Sequence, residues 1–294
     1  MRITSQMASD RALAGLTSLY DQVQHAQDQI TSGKRIVKPS DDPVGTRTAI
    51  RVQEALDQTT QYLRNIDNAS ASLAAADTAF KTAGDVMQRA RELAVQGANG
   101  SLTAADRQTI AAEVEQLSRT LVGQAATKVG SDYVFSGYQT DTAPYAEAPA
   151  GSTAVSAYAG DAGQLNVRIG PGVTMPSNVT ADVAFQPALE ALDQLHTDLV
   201  GGAAVPGTTL DQLDAGQAAL TNAWTEVGAR QNRLDETQTS LGDFQLTSTK
   251  LLSDTVDVDL ADAITALTSH QTAYQAAAKA TGQMLSVSLF DYLK

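Results

Sequence analysis

The chain has 294 residues, a formal net charge of −13 and a pI near 4.5, and it contains no cysteine. Its length allows about two domains, each with a buried core. The negative charge excludes a general nucleic-acid binder, which needs a basic surface to neutralise phosphates. The lack of cysteine excludes disulfides, thiolate metal sites and cysteine nucleophiles. Aromatic residues make up only 5% of this alanine-rich chain, which favours closely packed helices over a broad β core.

The first 32 residues predict a helix with a narrow apolar stripe. The stripe recurs every three or four residues, at Leu13, Leu16, Tyr20, Val23, Gln27 and Ile30. This spacing is the 3.5-residue period of a helix that packs along a partner helix. The stripe carries few large side chains, and an isolated helix of this kind is marginal in water. We therefore expect the segment to be disordered alone and to become ordered in an assembly.

A short charged segment separates this helix from the next. Lys34, Arg35 and Lys38 lie within a few positions of Asp41 and Asp42. A phosphate-binding cluster is one interpretation of the basic residues. An ion-paired turn between two helices is favoured over it, because the chain as a whole is acidic.

Two helices are predicted between residue 43 and residue 128. Asp42 can cap the first, and Pro43 suits its first position. Its apolar seam comprises Val52, Leu56, Thr59, Leu63, Ile66, Ser70, Leu73, Phe80 and Met87. Thr103 and Asp106 form a capping-box pattern at the start of the second helix, over about 104–128. The second seam comprises Ile110, Val114, Leu117 and Leu121.

The middle of the chain differs from both flanks. Residues 141–220 hold nine acidic residues and one basic residue. The period also changes over 133–185, where the runs YVFSGY, TAVSAYAG, QLNVRIG and DVAF are short, β-prone and separated by glycine or proline. The pattern predicts a small β domain inserted between helices, followed by a short return helix over 187–200.

Two helices are predicted after the acidic region. The first, over about 210–252, has the seam Leu220, Trp224, Val227, Gln231, Leu234, Gln238 and Leu241. The second begins after Asp259 and runs to the end, with the seam Leu260, Ile264, Leu267, Gln271, Tyr274, Ala278, Thr281 and Leu285. The polar seam residues Gln231, Gln238 and Gln271 of these two helices either lie in water or set the register between helices. This seam and the first one lie at opposite chain ends and could pair.

No set of residues predicts a catalytic, cofactor or metal site. His25, His196 and His270 lie in separate helices without metal-ligand spacing, and we interpret them as ordinary helix residues. The aspartates before the last helix lack the central glycine and final glutamate of a calcium loop, so helix capping explains them better. Asn68, Asn99 and Asn178 begin N-x-S/T triplets, which are common by chance.

Four strings give the chain a family resemblance. Residues 29–45, QITSGKRIVKPSDDPVG, closely resemble the amino-terminal signature of the flagellin family. Residues 133–144, YVFSGYQTDTAP, resemble the turn where the core of that family leads into its outer domain. Residues 226–236, EVGARQNRLDE, and residues 256–293 are similar to its carboxy-terminal helices. These strings cover about a hundred residues, on both flanks and in the family's order.

The resemblance implies a mainly α fold, a long antiparallel helical bundle. The termini would pair at one end, and a small inserted β domain would lie at the other. Residues 1–44 and 255–294 would form the inner layer of a tubular assembly, ordered only there. Residues 45–140 and 186–254 would form the helical rod, and residues 141–185 the inserted β domain.

The resemblance also implies which residues assemble. The terminal-helix interface would comprise Leu13, Leu16, Tyr20, Val23, Ile30, Ile264, Leu267, Tyr274, Leu285 and Leu289. The connector between inner and middle layers would comprise Ser32, Gly33, Lys34, Arg35, Pro39, Ser40, Asp41, Asp42 and Pro43.

Within the family, the strings KPSDDP, DTVDVDL and SLFDYLK and the opening MRITSQM favour a subunit of the junction between hook and filament. The implied function is structural, with filament flagellin as the first alternative and a rod-like adhesin or binding module as the second. An enzyme is the weakest interpretation.

The implied partners are copies of the chain itself, another hook-associated protein on the hook side, flagellin on the filament side and an export chaperone on the last helix. No nucleic acid, cofactor or membrane insertion is expected. The implied location is the extracellular flagellum, reached by export without a cleaved signal peptide.

Overall fold

The structure is a computed structural model that describes the backbone of residues 5–292 and the side chains of residue 7 and residues 9–283. Helices dominate it. They are α1 (Ser5–Ser32), α2 (Pro43–Gly97), α3 (Ala104–Ala125), α4 (Ala181–Ala184), α5 (Gln186–Val200), α6 (Gly207–Val256) and α7 (Leu260–Tyr292). The strands β1 (Lys128–Val129) and β2 (Asp132–Tyr133) form one antiparallel hairpin, and β3 (Asn166–Gly170) and β4 (Val173–Pro176) form another. The mainly α fold with a small β region is confirmed.

The chain divides into two compact units. The terminal unit comprises residues 1–58 and 243–294, and the central unit comprises residues 59–242. These boundaries fall within α2 and α6, more than ten residues from the layer boundaries proposed from the sequence. The layers themselves therefore remain a proposal.

The predicted helix starts are present. The Thr103 hydroxyl accepts a hydrogen bond from the Asp106 N–H, and the Asp106 carboxylate accepts one from the Thr103 N–H, which completes the capping box of α3. Asp42 accepts the Gly45 N–H at 2.8 Å directly before Pro43 opens α2. Asp259 accepts the Ala261 N–H at 2.9 Å at the start of α7. Local sequence chemistry therefore determines where these helices begin.

The core of the central unit contains three phenylalanines from distant parts of the chain. Phe80 on α2 stacks on Phe185 with 5.3 Å between ring centroids, and Phe135 meets both rings edge-on. All three side chains are fully buried. The α2 seam contributes Ile66, Leu73, Phe80 and Met87 to the same core, as its period predicted. Aromatic packing therefore connects α2 to the region between α3 and α5.

Arg107 joins three chain segments near the turn between α2 and α3. Its guanidinium donates to the backbone carbonyls of Leu102, Gly202 and Asn99 at 2.9–3.1 Å. The side chain is buried, so these carbonyls replace the water that the charge has lost. One residue thus fixes both the α2–α3 turn and the loop after α5.

The inserted region contains less β structure than the sequence predicted. The first three residues of DVAF form the short helix α4 together with Ala181, Phe185 follows directly after it, and no strand lies in TAVSAYAG among the described residues. Both predicted strands are therefore wrong. Side-chain bonds organise this region instead: the Tyr158 hydroxyl donates to the Phe135 carbonyl at 2.9 Å, and the Thr153 hydroxyl donates to Asp193 on α5 at 2.7 Å. These long-range contacts override local β propensity.

The single tryptophan lies where α6 meets α2. The Trp224 indole N–H donates to the Asp77 carboxylate at 2.6 Å. The ring is 38% exposed. This bond fixes a large, partly exposed side chain on the surface of the central unit.

Candidate assembly site

The terminal helices α1 and α7 form an antiparallel pair. The Tyr20 and Tyr274 rings meet with 5.9 Å between their centroids and 51° between their planes. Lys34 and Asp257, just beyond the inner ends of the two helices, form an antiparallel bridge. From the tyrosine contact to this bridge, residue numbers rise along α1 and fall along α7, so the two helices are antiparallel. The two terminal seams therefore face one another, as their matched period allowed.

This pairing buries little apolar area. Ala26 and Ala263 are the apolar residues of α1 and α7 that are fully buried, among the side chains that the structure describes. The predicted interface residues Leu16, Val23, Ile30, Leu267 and Tyr274 are half-buried. Leu13, Tyr20 and Ile264 are about half exposed. Leu285 and Leu289 lie outside the described side chains.

Large exposed apolar residues are concentrated in the terminal unit. It holds ten of the sixteen such residues found among the described side chains. Beyond the paired seams they lie on the first turns of α2 and the last turns of α6: Val44, Ile50, Phe244, Leu246 and Leu251. Apolar patches of this density on a soluble chain mark interaction surfaces. The terminal unit therefore presents apolar surface that its own fold does not cover.

The α1–α2 connector is bonded to the α6–α7 connector through the backbone. The Arg35 N–H donates to the Val256 carbonyl at 2.7 Å, and the Val258 N–H donates to the Gly33 carbonyl at 3.0 Å. Gly33 has a φ of +69°, a conformation that glycine adopts without strain just after a helix. We refer to residues 29–45 together with residues 253–258 as the connector clasp.

The Arg35 side chain also connects the α1–α2 connector to the end of α6. Its guanidinium donates to the Thr255 carbonyl at 2.7 Å and pairs with the Asp42 carboxylate at 3.2 Å. The Gln29 amide donates to the Arg35 carbonyl at 2.8 Å. One arginine therefore connects the end of α1, the cap of α2 and the end of α6. Both side-chain bonds are made by the same guanidinium nitrogen, Nη2.

The two aspartates of the connector have separate roles. Asp41 accepts the backbone N–H groups of Val37 and Lys38 at 3.1 and 2.8 Å, which closes a tight turn. Asp42 caps α2. The hydrogen bond from the Gly45 N–H and the Arg35 guanidinium beside it hold the pKa of Asp42 below its ordinary value.

The remaining predicted connector residues lie on the surface. Ser32 donates to the Asp28 carbonyl at 2.7 Å, and Pro39 and Ser40 are exposed. The predicted ion-paired turn is present as the Arg35–Asp42 pair; Lys34 and Lys38 form no ion pair with a described residue. Sequence reasoning did not identify Thr255 and Val256 as partners of Arg35, because they lie 220 residues away and act through backbone atoms.

The described part of the chain offers no group of three or more His, Cys, Asp or Glu residues placed to hold a metal ion. Within the same part, no helix is both long enough and apolar enough to cross a membrane.

Comparison with known proteins relates the chain to flagellar subunits. Its residues 3–140 match the family model of the bacterial flagellin N-terminal helical region, and residues 210–293 match that of the C-terminal helical region. The chain is 28% identical to flagellar hook-associated protein 3 of Escherichia coli over the full length of both proteins. It is 24% identical to a flagellin of Listeria monocytogenes over 87% of this chain and 93% of that protein.

A solved structure shares the fold. The flagellar junction protein FlgL from Legionella pneumophila superposes with a TM-score of 0.60 at 16% identity, covering 71% of this chain and all of that chain. The two family models together match about three quarters of the sequence, one on each side of the inserted region. Because both terminal regions match in the family's order, the chain belongs to the flagellin family.

Proposed function

We propose that the chain is a structural subunit of the bacterial flagellum that joins the hook to the filament. The observation that carries this proposal is the terminal unit: its paired helices leave Leu13, Tyr20 and Ile264 about half exposed. Apolar side chains that a fold leaves exposed together are typical of an interaction surface. Full-length similarity to a hook-associated protein 3 supports the junction over other flagellar positions.

Assembly would proceed through the terminal helices. The apolar seams of α1 and α7 would pack against the same helices of neighbouring copies, since a repeated head-to-tail contact builds an open helical array. Further partners would be another hook-associated protein on the hook side and flagellin on the filament side. An export chaperone would cover α7 before assembly. The chain would be exported to the cell exterior.

The connector clasp would set the angle between the inner and middle layers. Its backbone bonds and the Arg35 guanidinium join the α1–α2 connector to the α6–α7 connector. Residues 1–44 and 255–294 would form the inner layer, 45–140 and 186–254 the middle layer, and 141–185 the projecting region. We infer that the inner layer opens readily in the monomer, because α1 and α7 fully bury only small side chains against each other within the described residues.

The role would be structural rather than catalytic. In the central unit, the pKa values that change most from their ordinary values belong to two tyrosines. Burial, followed by the negative charge of Asp182, raises the pKa of Tyr145 and of Tyr158. Their hydroxyls donate to the carbonyls of Ala181 and Phe135, which is a structural use.

A seeded assembly experiment tests the proposal. Purified protein is added to sheared filaments and, separately, to isolated hooks, and growth is followed by electron microscopy. We expect binding at hook ends without long filaments, whereas flagellin from the same cells elongates its own seeds. A variant lacking residues 1–40 should bind neither, while a Gln88→Ala variant, changed on the exposed surface of α2, should behave as the parent protein does.

Filament flagellin is the second candidate, supported by the match to a Listeria flagellin over 87% of the chain. Long filaments built from this protein alone would establish that role and overturn the junction proposal. Hook binding that survives removal of residues 1–40 would overturn both, and would favour a binding module that acts through its central unit.

A further inference from the structure

A concave site lies in the central unit, beside the base of the inserted region. It has a volume of about 270 Å³ and is open to solvent on one side. α2 forms one wall through Asn68, Ala71 and Ser72. The β1–β2 hairpin and Thr140 form a second, and the chain on either side of the β3–β4 hairpin forms a third. These walls carry polar side chains as well as apolar ones.

Three hydrogen-bonding groups in the walls have no partner within the described part of the chain. They are the Asn68 carboxamide, the Tyr133 hydroxyl and the Thr140 hydroxyl, all of which line the cavity. Val129, Val134 and Leu165 line the same cavity with apolar surface. Small-molecule sites combine a few convergent polar groups with apolar walls in this way.

The walls are held in place by hydrogen bonds that lining residues make with one another and with their neighbours. The buried Asn178 accepts the Leu165 N–H at 2.8 Å and donates to the Gly163 carbonyl at 2.9 Å. The Tyr133 N–H donates to the Thr140 carbonyl at 2.8 Å. Lys128 lies over the Tyr133 ring, with its Nζ 4.2 Å from the centroid. Because these walls are already ordered, a ligand would lose little affinity to reorganisation.

The electrostatics of the site restrict the ligand class. Asp132 is the one charged residue in the lining, and the whole chain carries a net charge of −13. Both disfavour phosphates and carboxylates, although the Lys128 ammonium beside Tyr133 partly offsets Asp132. The carboxamide and hydroxyl groups suit a partner that both donates and accepts hydrogen bonds, while the apolar lining suits C–H faces.

We propose that this cavity is a binding site for a neutral sugar residue. A single pyranose ring matches its volume, its mixture of hydroxyl and amide groups, and its apolar surface. Asp132 would accept hydrogen bonds from sugar hydroxyls, and Asn68 would both donate and accept. The site is independent of the terminal helices, since every residue in it belongs to the central unit.

The test uses the full-length protein and methyl glycosides of glucose, galactose, mannose and N-acetylglucosamine, with glucuronic acid as the anionic comparison. Binding is measured by saturation-transfer NMR and by calorimetry. We expect at least one neutral glycoside to bind with a dissociation constant on the order of 1 mM, and glucuronic acid to bind more weakly.

Asn68→Ala and Thr140→Val should each weaken that binding by about fivefold or more, which is the effect of losing one hydrogen bond. Gln88→Ala, on the same helix outside the cavity, should not change it, and a thermal melt confirms that each variant is folded. Thr140→Val keeps the shape of the side chain. If that variant fails to fold, the binding measured for Asn68→Ala, a change on the exposed helix surface, still tests the proposal. No binding of any neutral glycoside, tighter binding of glucuronic acid, or unchanged binding by Asn68→Ala would each overturn the proposal.

Discussion

The rings of Tyr20 and Tyr274 lie 5.9 Å apart, although the two residues come from opposite ends of the chain. Among the described side chains, the fully buried apolar residues of α1 and α7 are alanines, and the larger apolar residues there are half-buried or exposed. The tyrosine pair therefore gives the terminal helices a specific alignment that a stripe of alanine could not.

Replacing either tyrosine should weaken assembly at the hook. We expect Tyr20→Ala and Tyr274→Ala each to lower binding to isolated hooks, and the double variant to lose less than the two effects combined. The coupling should be about 0.5–1.5 kcal/mol, the value of an aromatic pair beyond its buried area. Tyr20→Phe and Tyr274→Phe keep the rings and serve as controls. Strictly additive effects would mean that the rings do not cooperate in the assembly.

The connector clasp should depend on the Arg35 guanidinium. In Arg35→Ala, the amides of Val256 and Val258 should exchange hydrogen faster, because the bond to the Thr255 carbonyl is lost. Hydrogen exchange read by mass spectrometry measures this directly. Lys38→Ala is the matched control, since Lys38 is exposed and forms no ion pair with a described residue. Equal exchange in all variants would show that the backbone bonds alone hold the clasp.

Acid should loosen the start of α2. The pKa of Asp42 is lowered in the folded protein, by the Gly45 N–H and then by Arg35, so its contribution to stability is present above its unfolded pKa of about 3.9. That contribution is lost as the pH falls through the lower, folded pKa. The Gly45 amide resonance should therefore titrate below about pH 4. The titration should vanish in Asp42→Asn and persist in Asp10→Asn; persistence in Asp42→Asn would contradict this assignment.

Arg107 should be important for the stability of the central unit. Arg107→Ala leaves several backbone carbonyls without their donor, and we expect a loss of about 2–4 kcal/mol in the free energy of unfolding. Urea denaturation followed by Trp224 fluorescence provides the measurement. Lys81→Ala, an exposed change on α2, should stay within about 0.5 kcal/mol of the parent. A similarly small change for Arg107→Ala would refute this role.

The parts of the fold that depend on neighbouring residues were predictable. Asp42, Thr103 and Asp259 begin helices because capping chemistry acts over three or four positions. The period of the α2 seam predicted that Ile66, Leu73 and Phe80 share one apolar face, and all three residues are buried.

The parts that depend on distant residues were not predictable. DVAF is β-prone, yet its first three residues lie in α4, and its last residue, Phe185, packs on Phe80 and Phe135. Arg35 was identified as part of a local ion pair, but its bond to the Thr255 carbonyl depends on a backbone atom far along the chain. Likewise, the period shows that α1 has a partner helix, and only the structure aligns Tyr20 with Tyr274.

Trp224 is the only tryptophan in the chain, and its indole is fixed to Asp77 within the central unit. Tryptophan emission therefore reports the folding of residues 59–242 and is insensitive to the state of α1 and α7. Far-ultraviolet circular dichroism, in contrast, records every helix. A denaturation curve in which ellipticity falls before the emission shifts would thus resolve the melting of the termini from that of the core, in one unlabelled sample and without any engineered probe.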